Sequence, residues 1–388
     1  MASSRRMPEA NRPKRSPSDD RRHLSVTVVI FGLCLGATGV LFPLLAIDAG
    51  FDAATIGFLA AVSGGVQMSA RVALPWLLAT FEDRAIMFAS YVAMAVSVGV
   101  LVGGSALALF VIAQALQGAA RGLFHTASQT HSVRIPGIPT RRLAYVQTLA
   151  QFGRLGGPIL GGSLAAVSRS ASLWTVAGLA VAGAATCRAL DVMPTYERKP
   201  PPGKSPMWRR RGVGVGCWGG AIGGVWSSVL ESYVPVILAG AGLASGTIGL
   251  YVSAAEASSF GMTAVLARWG PRRIGRFIPV VAFGLAVPLV LLTLTESAPV
   301  LFGLLVITGV CGGTGSVLGS GSVTEMTPPD EQGTAIALVG LYRAGARLAA
   351  PLAVGAALAV ASLPIAITGL AVALILPSTW LRRTPPAA

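Results

Sequence analysis

Residues 153–162 read Gly153-Arg154-Leu155-Gly156-Gly157-Pro158-Ile159-Leu160-Gly161-Gly162, and their frame returns 193 residues later as Arg347, Leu348, Pro351 and Gly355. A second pair shows nearly the same offset. Pro43 and Thr55-Ile56-Gly57 recur 192 residues on as Pro235 and Thr247-Ile248-Gly249. Half the chain is 194 residues. Two matching offsets at separate places indicate an internal duplication, and both copies lie in long apolar segments.

Those segments are long enough to cross a membrane, which takes about 20 apolar residues as a helix. Twelve are predicted, near 24–46, 55–81, 85–102, 106–130, 143–167 and 173–193, then 213–238, 247–267, 277–294, 299–323, 335–362 and 364–381. Composition agrees. Hydrophobic residues make up 53% of the chain and charged residues 12%, about half the charge of a soluble domain; the mean hydropathy is +0.69. A soluble enzyme and a disordered chain are excluded. The expected fold is an all-α integral membrane protein: a basic disordered tail (1–22), a six-helix bundle (23–193), a linker (194–212), a second six-helix bundle in the same orientation (213–381) and a short tail (382–388).

The net charge of +15 does not point to nucleic acid, because the bases flank apolar segments. Seven of the 30 lie in the first 22 residues and six between Arg198 and Arg211. Loops on the side of the termini carry Arg84, Arg134, Arg141, Arg142, Arg268, Arg272, Arg273, Arg276, Arg382 and Arg383, whereas the opposite loops carry Arg169 alone. The positive-inside rule then puts both termini in the cytoplasm of a plasma-membrane protein. Cys34, Cys187, Cys217 and Cys311 all fall in apolar segments and read as small buried hydrophobes. No Walker sequence, metal-ligand spacing or nucleophile–base arrangement is legible, so no cofactor and no catalytic residue is expected. Parallel repeats are a transporter architecture, with a small-molecule site between the halves near the membrane midplane.

Within the spans a charge costs roughly 2.5–3.5 kcal/mol on insertion scales, so each marks a site or a structural pair. The set comprises Arg71, Arg121, Arg154, Arg343, Arg347, Glu231 and Glu256. Helical spacing puts Gln114, Gln117, Arg121, His125 and Ser128 on one face of the fourth span, and Gln147, Gln151 and Arg154 on one face of the fifth. Arg343 and Arg347 lie one turn apart on the eleventh, and Ser227 and Glu231 align on the seventh. Such stripes face protein or a watery cavity. The expected substrate contacts are Gln114, Gln117, Arg121, Gln147, Gln151, Arg343 and Arg347. Arg154 and Glu256 are expected at similar depth, where they can pair. Glu231, Glu256 and His125 are the groups suited to carry a coupling proton. The excess of Arg over Glu also suits an anionic substrate.

The chain resembles the major facilitator superfamily over nearly its full length. Residues 153–162 are similar to that family's antiporter motif, gxxxGPxxGG, with Gly153, Gly157 and Gly161 forming a smooth strip and Pro158 a bend. The resemblance implies a twelve-helix fold, transport by alternating access and proton-coupled efflux, with Gly153, Arg154, Gly157, Pro158, Gly161 and Gly162 as motif residues. Asp83 and Arg84 are similar to the Asp-Arg pair of the family's cytoplasmic latch loop. The second-half counterpart, Ala267 to Arg273, keeps the bases but lacks the acid. The R-x-x-Q-G of the fourth span reads Gln114-Ala115-Leu116-Gln117-Gly118, so its proton-linked Arg is absent. The expectation is a monomeric secondary transporter exporting a small organic molecule against protons; the alternative is an organic-anion transporter using the Arg cluster.

Overall fold

The computed structural model describes residues 17–195, 211–266, 278–327 and 332–382. Twelve helices lie among them: α1 (Pro17–Asp48), α2 (Ala53–Thr80), α3 (Asp83–Val102), α4 (Leu107–Arg134), α5 (Pro139–Val167), α6 (Arg169–Cys187), α7 (Arg211–Gly240), α8 (Ser245–Leu266), α9 (Ile278–Leu292), α10 (Ala298–Met326), α11 (Gln332–Ala357) and α12 (Leu363–Arg382). The basic residues before Pro17, most of the 194–212 linker, the second-half loop with Arg268, Arg272, Arg273 and Arg276, and the tail from Arg383 lie outside the described residues.

Eight helices are long and apolar enough to cross a membrane, and α9 and α12 are shorter apolar helices. The remaining two, α5 and α8, carry Arg154 and Glu256, which face each other inside the protein. Large apolar side chains such as Val72, Trp76, Phe152, Trp174 and Val360 lie exposed on the outside, where lipid replaces water.

The packing repeats as the sequence does. Helices α1·α5, α3·α4 and α3·α6 pack closely in the first half, and α7·α11, α9·α10 and α9·α12 in the second. The halves meet along two equivalent pairs, α2·α11 and α5·α8, with α1 against α7 between them. The recurring motifs make these seams. Gly57 of the first Thr-Ile-Gly run lies against Pro351, whose carbonyl oxygen would sit 3.0 Å from a Cβ built there. Gly249 of the second run lies directly against the Pro158 carbonyl, whereas at Gly57 the Tyr233 hydroxyl, which donates to Pro351, is the nearest atom. Each Gly of one repeat thus receives the Pro of the other.

Along α2·α11, Gly57 meets Pro351, Gly64 meets Arg347 and Arg71 meets Gly340, so the two helices stay in contact from the sealed end past the centre. Consecutive helices alternate in direction, so Pro17 and Arg382 lie at one end, here the terminal end. At the opposite end Val40 and Leu44 of α1 belong to the core of the second half, with Ile47, Ala53 and Ala165 packed against it. That end is sealed by apolar contact.

α1 begins at Pro17, so the last six residues of the stretch expected to be a disordered tail, 17–22, are helical. The reason is Asp20. It is 1% exposed, accepts from the Asp191 amide at 2.9 Å and meets His131 Nε2 at 3.2 Å. The cysteines are free, three of them buried and Cys311 half-buried.

Gly57→Ala is expected to push the buried Tyr233 ring away, break the bond its hydroxyl donates to the Pro351 carbonyl and lower stability by about 1–3 kcal/mol, the usual cost of overpacking. Gly99→Ala, which meets nothing within 4 Å, is the control and is expected to raise stability slightly. Thermal melts of the purified protein check both; equal melting temperatures for the two variants would show that the seam is not tight.

Candidate functional site

At mid-depth between the halves, Glu231 of α7 accepts from three guanidinium groups. Arg121 of α4 reaches it at 2.6 Å, Arg347 of α11 at 2.5 Å and Arg154 of α5 at 3.1 Å. Arg154 also meets Glu256 of α8 at 2.5 Å. Arg347 donates a further bond to Ser227 Oγ at 2.7 Å. Two carboxylates from the second half therefore hold two guanidiniums from the first, and a third from their own. These short, charge-assisted contacts offset the cost of taking the ions out of water.

The repeat explains where room for the acids comes from. At the offset of 192 residues, Glu231 corresponds to Gly39 and Glu256 to Gly64. Gly39 faces Glu231 itself, with a built Cβ 3.2 Å from its Cγ. Gly64 lies against the backbone of Arg347 at 2.8 Å. The Arg154–Glu256 pair therefore has Arg347 and Gly64 as its mate in the other half-interface. No acid stands there, and Arg347 turns to Glu231 instead.

The ions border a cavity of about 30 Å³ lined by Thr38, Gly39, Phe42, Ala60, Ser63, Gly64, Gln114, Gln117, Arg121, Ser228, Glu231 and Arg347. That holds about two waters, far below the roughly 300–1,000 Å³ of a pocket for an organic molecule. The halves are drawn together around the ions, and an organic ligand needs them to part.

Among the residues singled out from sequence, Gln114, Gln117, Arg121, Glu231 and Arg347 come together at this cavity. Gln117 donates to Thr38 of α1. Arg154 and Glu256 complete the ion cluster beside it. Gln147 is exposed and Gln151 half-buried, and neither lines the cavity. Arg343 and His125 lie outside it, toward the terminal end. The charged groups near His125 are Arg71, Arg154, Arg121 and Arg343, all basic. Sequence reading passed over Thr38, Phe42, Ser63 and Ser228, which carry no charge and give no signal in an apolar span.

The glycine motif divides its contacts. Gly157 and Gly161 press on Gly36 and Ala37 of α1, with built Cβ distances of 2.6 Å, and Gly153 lies on Gly32. Gly162 instead faces Gly249 across the interface, and Pro158 touches both sides, its ring on Gly36 and its carbonyl on Gly249. Asp83 is fully buried at the terminal end of the first half. It accepts from Arg134 at 3.0 and 3.2 Å and lies 3.8 Å from His131 Nδ1. The partners described for it all belong to α4. Arg84 pairs with Glu82 at 2.9 Å and donates to the Leu190 carbonyl at 3.4 Å.

With this geometry in hand, comparison with known proteins decides the family. The model of the Major Facilitator Superfamily matches residues 24–351. The chain belongs to this superfamily. Solved structures agree at the level of fold. A single-residue mutant of nucleoside transporter NupG superposes with a TM-score of 0.72 at 11% identity, covering 93% of this chain and 99% of that one. Another structure of nucleoside transporter NupG gives 0.70 at 11% identity, covering 95% and 100%. No curated protein matches the chain in sequence. As a facilitator-superfamily member, the chain is a multi-pass membrane transporter of a small molecule.

Removing one partner from a buried ion pair typically costs about 3–5 kcal/mol. Glu231→Gln leaves three guanidiniums short of a charge and is expected to lower the melting temperature more than Glu256→Gln. Adding Arg121→Gln to Glu231→Gln is expected to recover part of the loss. A double-mutant cycle measured by thermal melts checks this, and strict additivity would contradict a shared cluster.

Proposed function

We propose that the chain is a secondary transporter that exports a small organic molecule across the cell membrane by alternating access, coupled to protons through Glu231 and Glu256, with both termini in the cytoplasm. The observation that carries this reading is that acids of one half hold bases of the other at the centre of the interface. Rocking the halves apart has to break Arg121–Glu231 and Arg154–Glu256. A proton on either carboxylate removes one charge of the pair and lowers the cost of separation. Protonation then biases the two states differently, which is the condition for coupling. The seal at the end opposite the termini supports a cycle in which that seam opens to release the molecule. The resemblance of residues 153–162 to the antiporter motif supports the outward direction.

A second reading is favoured by the charge count. Arg121, Arg154 and Arg347 outnumber Glu231 and Glu256 in the cluster, so an organic anion entering between the halves finds guanidiniums ready to exchange one carboxylate for another. In that reading the cargo is the anion, moved in either direction.

Purified protein in proteoliposomes separates the two. Proton-coupled export predicts that an imposed pH gradient drives substrate flux, and that Glu231→Gln and Glu256→Gln each abolish the gradient dependence. Equal flux with and without the gradient rejects the coupling. The anion reading predicts loss of transport in Arg121→Ala and Arg347→Ala with Glu231→Gln tolerated; the reverse pattern rejects it.

A further inference from the structure

We propose that Arg71 of α2 and Arg343 of α11, one from each half, form a binding site for an acidic group of the carboxylate or phosphate class, on the terminal side of the Glu231 cluster. Of the five central arginines, three are held by Glu231 and Glu256. These two are not. The Arg71 guanidinium donates from Nη1 to the Gly340 carbonyl at 2.7 Å, and its Nε is buried with no partner. The Nε of Arg343 is likewise buried with no partner. Among the described residues no carboxylate pairs with either.

Both lie along α11, and Arg71 is among the charges near Arg343. Gly340 and Arg343 are three residues apart and share a face of α11. Arg71 lies on that face, its Nη1 2.9 Å from where a Gly340 side chain would begin. Arg343 lies beside Gly223, with Nη2 3.0 Å from a Cβ built there, and Ser316 Oγ borders the same point at 2.7 Å. Gly223, Ser227 and Glu231 occupy successive turns of one α7 face, so Arg343 sits two turns from Glu231. Both glycines leave space around a guanidinium that a side chain would fill. His125, one turn from Arg121 on α4, has Arg71 and Arg343 among its nearby charges.

The scaffold does not require these charges. At the repeat offsets Arg71 corresponds to Thr263 and Arg343 to Ala150, so the same seams form in the other half-interface without them. A half-buried guanidinium without a counter-charge is costly, and it is retained here in a pair spanning the interface between the halves. An acidic group bound by both would use their five-donor forks and would bridge the halves. The inference deepens the anion reading above. Its test records binding and not transport, so either can fail alone.

The test titrates purified protein in detergent with succinate and with inorganic phosphate, each against chloride at equal ionic strength, and follows the melting temperature. A ligand of the folded state raises it by mass action. A saturable rise is expected. Arg71→Met and Arg343→Met are each expected to weaken it about tenfold, the scale of one lost charge-assisted hydrogen bond, while Arg169→Gln, at an exposed pair with Asp48, leaves it unchanged. Without anion both Met variants are expected to melt at or above the temperature of the parent, because each loses a half-buried charge that no carboxylate pairs. A parallel titration with anionic phospholipid identifies the source. A rise there, lost in both variants and absent with the solutes, keeps the site and assigns it to a headgroup. A rise that survives both substitutions overturns the proposal, as does the absence of a saturable rise with every probe. So does a lower basal melting temperature in both variants with the anion response intact.

Discussion

Glu231 is the charge on which the centre of this molecule depends. It takes guanidiniums from α4, α5 and α11 onto one carboxylate, and two of those helices belong to the other half. Where a lone charge is costly, the cheapest arrangement is to share counter-charges across the interface. The ion cluster is therefore both the bond between the halves and the feature most sensitive to their separation. The small cavity beside it follows, because short ion contacts draw the walls together.

Around that cluster the scaffold is symmetric and the charges are not. Gly57 against Pro351 and Gly249 against Pro158 join equivalent positions of the two repeats. Glu231 and Glu256, however, correspond to Gly39 and Gly64. Both acids sit on the second half, and the first half supplies space in place of acids. Symmetric seams let two similar bodies rock about a common axis, whereas an asymmetric charge set gives the cavity a sign. The excess is positive, and it continues toward the terminal end through Arg71 and Arg343.

The structure also shows how polar residues outside the centre are used. Asp20, His131, Asp83 and Arg134 form a buried network at the terminal end of the first half. Asp20 was hard to see because it follows a long basic tail and precedes the apolar run, so its neighbours argue for solvent. Burial reverses that reading, since its two oxygens are taken by His131 and the Asp191 amide. Gln147 makes the opposite case. Its spacing aligns it with Gln151 and Arg154, yet it is exposed and lies away from the cavity. Helical periodicity orders residues by face but does not say how far along that face the partner helix stays in contact.

By itself the sequence determined the number of spans, their division into two like halves and the seven charges that had to matter. These follow from length, hydropathy and the offset of the repeat, all local or periodic properties that survive without knowing any contact. The pairing of Arg154 with Glu256 was also within reach, because the family that the sequence resembles implies a fold with the fifth span near the eighth. Only the tertiary structure decided that Glu231 collects three arginines, that Gly39 and Gly64 stand where acids could have been, and that Arg71 and Arg343 are left over. Which base meets which acid depends on the angle and depth at which helices far apart in the chain cross. A rotation of one turn, invisible in composition, exchanges one partner for another.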